Sequence, residues 1–321
     1  MAEISVIMSV YKEPLAYVNV AVDSILKQTF ADFEFIIIVD APDNLEIIEF
    51  LQEKAATDTR IFVVVNEKNI GLAMSLNKAI DLAKGKYLAR MDADDEANPS
   101  RLAIERQAMI DKDLDMIASA ADLMDENDNV YGHLISFSTD LNAIRAILPY
   151  QNIIIHPTVM MKTSVVRLCG GYRNFSSSQD YDLWLRFLTN DIKIGLLNER
   201  LLRFRRHINS VSATKGLSQV LNERYIRELF KERKDTGSDS FSEENRHQFF
   251  ESIGCANGTI FNKENDDFTL YRNGMRAVKQ KRYVRGMGMC LLAMKSKHVR
   301  YDVWMKVRIK VQKRRLKRKE R

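Results

Sequence analysis

Short apolar runs alternate with amphipathic stretches through the first part of the chain. Ile4 to Val10 reads as a strand, and Pro14 opens a helix reaching about Gln28, with Val18, Val22, Ile25 and Leu26 on one face. Phe33 to Val39 is a near-continuous apolar strand, the pattern of a strand covered on both faces. Asp43 to about Ala56 reads as helix, Ile61 to Val65 as a third strand, Leu72 to Ala83 as a third helix stopped by Gly85, and Lys86 to Met91 as a fourth strand. Strand–helix units in this succession predict an α/β fold with a doubly wound, mostly parallel sheet and right-handed crossovers.

From about Met116 the alternation gives way to mixed segments at Met116 to Ala121, Tyr131 to Phe137 and Ile153 to Met161, with a helix over Asp182 to Leu188. Helices follow at Leu217 to Lys234, Glu243 to about Ile253, 263–280 and 283–297. The polar stretch Asp235 to Ser240 is the best boundary. It suggests a first domain over 1–234, a helical extension over 235–300, and a basic amphipathic or disordered tail over 301–321.

Charge changes this picture at the tail. The formal net charge is +6, but Lys306 to Arg321 holds ten Lys/Arg and one Glu, a local +9, which leaves about −3 for the rest. As a helix, the tail sets Val303, Val307 and Val311 beside Trp304 and opposite many cations, which suits an anionic membrane surface; a disordered solubilising tail is the alternative. Nucleic acid is not expected as a partner, because aromatic interleaving there is limited to Trp304. Cys169, Cys255 and Cys290 are odd in number and far apart, so a disulfide framework or zinc spacing is not expected and a reducing cytosol is. Neither a signal peptide nor a membrane-spanning run is expected.

In open parallel sheets, ligands sit beyond the carboxyl ends of the strands. Those ends carry Ser9, Tyr11 and Glu13, then Asp40 and Asp43, then Asn66 and Asn69, then Asp92, Asp94 and Asp95. Asp and Asn are common in turns, but four consecutive polar strand ends favour a site. Within Met91-Asp-Ala-Asp-Asp95, Asp92 and Asp94 alternate along extended backbone and can share one side. Close carboxylates repel, and a hard divalent cation such as Mg2+ or Mn2+ relieves that repulsion. No glycine-rich phosphate loop is present to do the same work.

These residues resemble the family 2 glycosyltransferases, which have the glycosyltransferase-A fold. The resemblance runs through Ile4 to Pro14, Asn69 to Ala79, Ala83 to Asp95, His156-Pro157, Gln179 to Arg186 and Arg206 to Ser212, in the family's order and over roughly residues 3–212. It implies an inverting, metal-dependent hexosyltransferase moving a sugar from a nucleoside diphosphate sugar, UDP-hexose above all, to a lipid-linked glycan acceptor in cell-surface polysaccharide synthesis. By position it implies Asp180 as the catalytic base. Ser9, Tyr11 and Glu13 border the nucleotide, Asp40 accepts from the uracil ring N–H, Asp92 lies near the ribose, and Arg206 meets the diphosphate. Asp94 and His207 contact the metal, and Trp184 and His156 lie toward the acceptor. Two departures stand out: Gln179 replaces the Glu that usually precedes the base, and Asp40-Ala-Pro-Asp43 replaces consecutive Asp residues.

Three assignments have a plainer reading: core packing for Trp184, structural support for His156, and a surface or capping role for His207; Arg186, six residues past Asp180, reads as part of a surface ion pair. A non-catalytic nucleotide-sugar-binding or scaffold protein of the same fold is the alternative function, disfavoured because Asp92, Asp94, Asp180 and His207 are all present. A nucleotidyltransferase would need a glycine- and lysine-bearing phosphate loop that Ser9 to Pro14 does not offer. The helices after Asp235 are open to shaping an acceptor site or forming a homodimer. The expected location is cytoplasmic, peripheral on the inner face of the cell membrane.

Overall fold

The structure, a computed structural model, describes residues 2–135, 138–206, 216–255 and 258–319. The chain divides into two compact units: Met1–Leu148 with Asn152–His207, and Pro149–Gln151 with Ile208–Arg321.

Among the described residues, the first unit is built on a nine-stranded mixed sheet. Strands β1 (Ile4–Val10), β2 (Phe33–Val39), β3 (Ile61–Val65) and β4 (Tyr87–Asp92) run parallel in the order β3-β2-β1-β4. Helices α1 (Leu15–Leu26), α2 (Leu45–Thr57) and α3 (Leu72–Leu82) make the crossovers. Every residue of β2 is buried, which accounts for its unbroken apolar run. Val18, Val22 and Ile25 of α1 join Val6, Phe35 and Val39 in the main core. Gly85 leaves room for β1: a Cβ there would lie 2.5 Å from the Ser5 nitrogen.

Beyond β4 the sheet carries antiparallel pairs. It continues through β8 (Val159–Lys162), β6 (Met116–Met124), β9 (Ile194–Arg205) and the two-residue β5 (Glu96–Ala97), with β7 (Val130–Leu134) paired to β6. Helices α4 (Arg101–Asp111), α5 (Leu141–Ile147), α6 (Thr163–Leu168) and α7 (Gln179–Thr189) complete the unit, with a 3-10 turn at His156–Thr158. Arg101 and Glu105 of α4 form a fully buried pair, and Arg101 Nη2 donates to the Arg90 carbonyl 2.8 Å away, tying α4 to β4. Burial pushes the Glu105 carboxyl up to about 7, against the pull of Arg101.

The second unit is helical: α8 (Gly216–Thr236), α9 (Glu243–Ser252), α10 (Gly258–Lys279), α11 (Tyr283–Ala293) and α12 (Lys297–Lys319). Leu217 and Leu221 of α8 pack with Phe268, Tyr271, Ala293 and Val299. This packing draws α8 into the helical unit, so the division falls before that helix instead of at Asp235. Residues 301–319 of the tail belong to α12. Among the described residues, no helix is long and apolar enough to cross a membrane.

Candidate active site

The carboxyl ends of the parallel strands lie side by side, with Ser9 in register with Ile38 on β2 and with Asp92 on β4. Asp40, just past β2 and 2% exposed, is the hub of this edge. Its Oδ1 accepts from Asn66 Nδ2 at 2.8 Å and from the Ile70 N–H at 2.9 Å, and its Oδ2 accepts from the Gly71 N–H at 2.8 Å. Gly71 has φ +85°, a left-handed conformation that glycine adopts without strain. Asn66 in turn accepts from Lys78 Nζ at 2.8 Å. Three of the four lone-pair positions on Asp40 are therefore filled from within the protein, leaving one on Oδ2. Tyr11 is exposed, and its backbone N–H donates to Glu13 Oε2 at 2.7 Å. Burial raises the Glu13 carboxyl above its ordinary range, and the neighbouring Asp92 charge adds to the effect.

At the end of β4, one oxygen from each of Asp92, Asp94 and Asp95 lies within 4.8 Å of the others. Asp95 is fully buried; its Oδ1 accepts from the Arg205 backbone N–H at 2.8 Å, while its Oδ2 has no hydrogen-bond partner among the described residues. Burial, and then the charges of Asp92 and Asp94, hold this carboxyl well above the usual carboxylate range. A buried orphan oxygen beside two further carboxylates is a donor set that fits a hard divalent cation, which would favour the ionised form of all three. Arg90 lies on the same face of β4 as Asp92 and pairs with it. Arg90 is 2% exposed, and its Nε and Nη1 have no hydrogen-bond partner among the described residues. Burial works against its charge, but the Asp92 carboxylate outweighs that and raises its pKa.

Asp180 stands in the first turn of α7, where the helix dipole favours an anion. Ser178, just before it, holds φ +65°, an uncommon conformation for a residue with a side chain. Asn152 Nδ2 donates to Asp180 Oδ2 at 2.8 Å. Burial raises the Asp180 carboxyl, opposed by this hydrogen bond and by the Arg90 charge. Tyr172 is also raised by burial, and both Asp180 and Asp92 push in the same direction. Arg90 thus feels Asp92 and lowers Asp180, and both carboxylates act on Tyr172, so the acidic strand end and the start of α7 share one electrostatic neighbourhood.

Helix α3 braces the chain leading to α7. Asn77 Nδ2 donates to the Tyr172 carbonyl and its Oδ1 accepts from the Tyr172 N–H, both at 2.8 Å. At the other end of that helix, Arg167 Nη2 donates at 2.7 Å to the carbonyls of Ile80 and Ala83. His156 Nε2 lies 2.8 Å from the Tyr172 hydroxyl. Burial and the Arg90 charge hold this imidazole well below its ordinary pKa.

Two expectations need correction. Trp184 is 0% exposed and packs against His156 and Phe187. A ring with no exposed face cannot stack on a sugar, so Trp184 is a core residue. Arg186 is not in a surface ion pair: it is buried, bonds the buried Asp182 at 2.9 Å, and donates to the Gly171 carbonyl at 2.6 Å. Arg206 is exposed, with its backbone N–H on the Met124 carbonyl at 3.0 Å. His207 lies outside the described residues. Sequence reading passed over Arg90, Tyr172 and Asn152. The available signal for Arg90 was a charged residue inside an otherwise apolar strand, two positions before Asp92; Tyr172 and Asn152 had none.

Comparison with known proteins agrees with this architecture. Residues 5–167 match the model of glycosyl transferase family 2. The O-antigen biosynthesis glycosyltransferase WbnJ of Escherichia coli is 37% identical over 236 residues, covering 73% of this chain and 91% of that protein. An uncharacterised glycosyltransferase of Methanocaldococcus jannaschii is 36% identical over 206 residues, covering 63% of this chain and 70% of its own length. Among solved structures, TarS 1-349 of S. aureus in complex with UDP-GlcNAc is similar with a TM-score of 0.58 and 16% identity, over 85% of this chain and 80% of that one. That identity speaks for the fold alone. The match over half the chain and the 37% identical relative carry the assignment: the chain belongs to glycosyl transferase family 2, and is a glycosyltransferase of the glycosyltransferase-A fold.

Proposed function

We propose that this enzyme moves a hexose from a UDP-sugar to a glycan acceptor with inversion at the anomeric carbon, in the synthesis of a cell-surface polysaccharide. The observation that carries the proposal is the shared electrostatic environment of Asp92 and Asp180. It supports a reading in which an acidic triad able to hold a cation and a raised, half-buried carboxyl both answer to one buried guanidinium, Arg90. Asp180 accepts the proton of the acceptor hydroxyl as its oxygen bonds the anomeric carbon and the bond from that carbon to the diphosphate oxygen breaks. Burial strengthens Asp180 as a base, while Arg90 and Asn152 oppose that rise and Asn152 aims the carboxylate. One carboxylate suffices for this single displacement.

Asp94, with Asp92 and Asp95 beside it, is the site for Mg2+ or Mn2+, and His207 is a further ligand that the family resemblance implies. When bound, such an ion offsets the negative charge growing on the diphosphate leaving group. Ser9, Tyr11 and Glu13 border the nucleotide, and the free lone pair of Asp40 accepts from the uracil ring. Asp92 adjoins the ribose, Arg206 meets the diphosphate, and His156 supports the acceptor side through Tyr172. UDP-GlcNAc on the similar TarS fold supports a UDP-sugar donor, and the O-antigen relative supports a cell-surface glycan product. A lipid-linked acceptor is consistent with the basic α12, which would draw the protein to the inner membrane face; a chain lacking residues 302–321 should then sediment less with anionic vesicles.

The test is a pair of variants read by turnover and by calorimetry of UDP-sugar binding in Mn2+ and in EDTA. Asp180→Asn should keep donor affinity and lose about 1,000-fold in kcat, the scale of a general base. Asp94→Ala should lose the difference in affinity between Mn2+ and EDTA. Near-wild-type turnover in the first variant removes Asp180 from the chemistry, and an unchanged difference in the second removes the metal role.

A further inference from the structure

Helix α11 is pressed against α10 along one narrow face. A Cβ on Gly286 would lie 2.7 Å from the Gly274 carbonyl oxygen, and one on Gly274 would lie 2.8 Å from the Gly286 carbonyl oxygen. The two backbones therefore nearly touch, and this contact fixes which way α11 is turned about its axis. Gly286 and Ala293 are buried on the contact face. The opposite face is apolar and open: Val284 is 90% exposed, Leu291 71% and Met287 58%. At 3.6 residues per turn these three positions form one stripe, and Tyr283 and Leu292, also exposed, widen it on either side. A contiguous exposed apolar face of this kind marks an interaction surface.

Its charged frame identifies the partner. Exposed Lys281, Arg282 and Arg285 stand at the start of α11, and exposed Lys295 and Lys297 at its end. From Phe268 to Tyr301 there are nine Lys/Arg and no Asp or Glu. A second copy docked on the same face would bring these cations together, and like charges across an interface oppose association. An anionic bilayer satisfies both parts of the surface at once: acyl chains receive the apolar stripe, and lipid phosphates meet the cations at its ends.

We propose that α11 lies in the plane of an anionic lipid surface, with Val284, Met287 and Leu291 inserted among the acyl chains and Lys281, Arg285 and Lys295 on the headgroup phosphates. This extends the membrane reading of the basic tail but places the inserting element on another helix. The charged part of α12 supplies attraction at a distance, whereas α11 supplies the apolar insertion that resists salt.

The experiment is co-sedimentation of the full chain with vesicles of phosphatidylglycerol and phosphatidylcholine, and with vesicles of phosphatidylcholine alone. Val284→Glu and Leu291→Glu change exposed side chains, so their thermal midpoints and gel-filtration volumes should match the parent. Each should partition roughly tenfold less onto the anionic vesicles, while Leu291→Trp should partition as well as the parent and shift its fluorescence to the blue on binding. Turnover with a water-soluble acceptor should be the same in all, which separates this proposal from the glycosyltransfer reading. The proposal is overturned if the Glu variants bind like the parent, or if the parent binds both vesicle types equally or neither. It is equally overturned if the parent is a dimer that Leu291→Glu dissolves, since the face would then belong to a second copy.

Discussion

Charged side chains do different work in the sheet unit and on the last two helices. In the sheet unit, Arg90, Arg101, Glu105, Asp95 and Arg205 are all withdrawn from water and each has a directed partner or a single cluster to answer to. On α12 and around α11 the charges are overwhelmingly of one sign, and those that flank α11, with Arg285 on it, stand in solvent. A buried charge must be matched at a fixed place, so it specifies geometry and tunes its neighbours' acidity. An exposed row of like charges specifies only what the surface attracts, and no single member is indispensable.

The most direct way to break this contrast is Asp40→Ala. Asn66 Nδ2 and the N–H groups of Ile70 and Gly71 would lose their acceptor together. A loss of about 3 kcal/mol in urea denaturation is expected; a change below the measuring error would mean that the hub is not needed. Glu105→Gln probes the same idea through pH. The folded carboxyl titrates at about 7 and the unfolded one at 4.5, so the native state binds the proton more tightly. The stability this confers is complete below the unfolded value and is lost as pH rises from 4.5 to 7. The variant should lack that part of the decline, roughly 1–3 kcal/mol by thermal unfolding across the window. An identical pH profile in both proteins would show that Arg101 fully compensates the burial. At the small end, Arg285→Gln should move stability by no more than about 0.5 kcal/mol, and a larger destabilisation would show that the exposed cations also hold the helices together.

The same contrast governs what could be read from sequence. Strands β1, β2 and β3 fall where the apolar runs predicted them, because parallel strands covered on both faces contain little else. Strand β9 is legible only toward its end, because the exposed Asn198, Glu199, Arg200 and Arg203 interrupt an otherwise largely buried run. Strand β5 has only two residues and exists through its pairing with β9, a long-range contact without a local signature. In the site, the acidic strand end was legible because Asp residues crowd a turn after an apolar run. Asn152 and Tyr172 were not, because they reach Asp180 and His156 only after the mixed half of the sheet has brought separate segments together.

Helix α3 has a consequence of its own. Gly71 at its leading edge is bound by Asp40, Asn77 grips Tyr172 midway, and the carbonyls at its end receive Arg167. A single rod thereby gauges the spacing between the turn beyond β2 and the loop that delivers Asp180. One residue added between Gly71 and Asn77 would swing that amide about 100° around the rod, so the length of this segment is as much a part of the enzyme's design as any carboxylate it aligns.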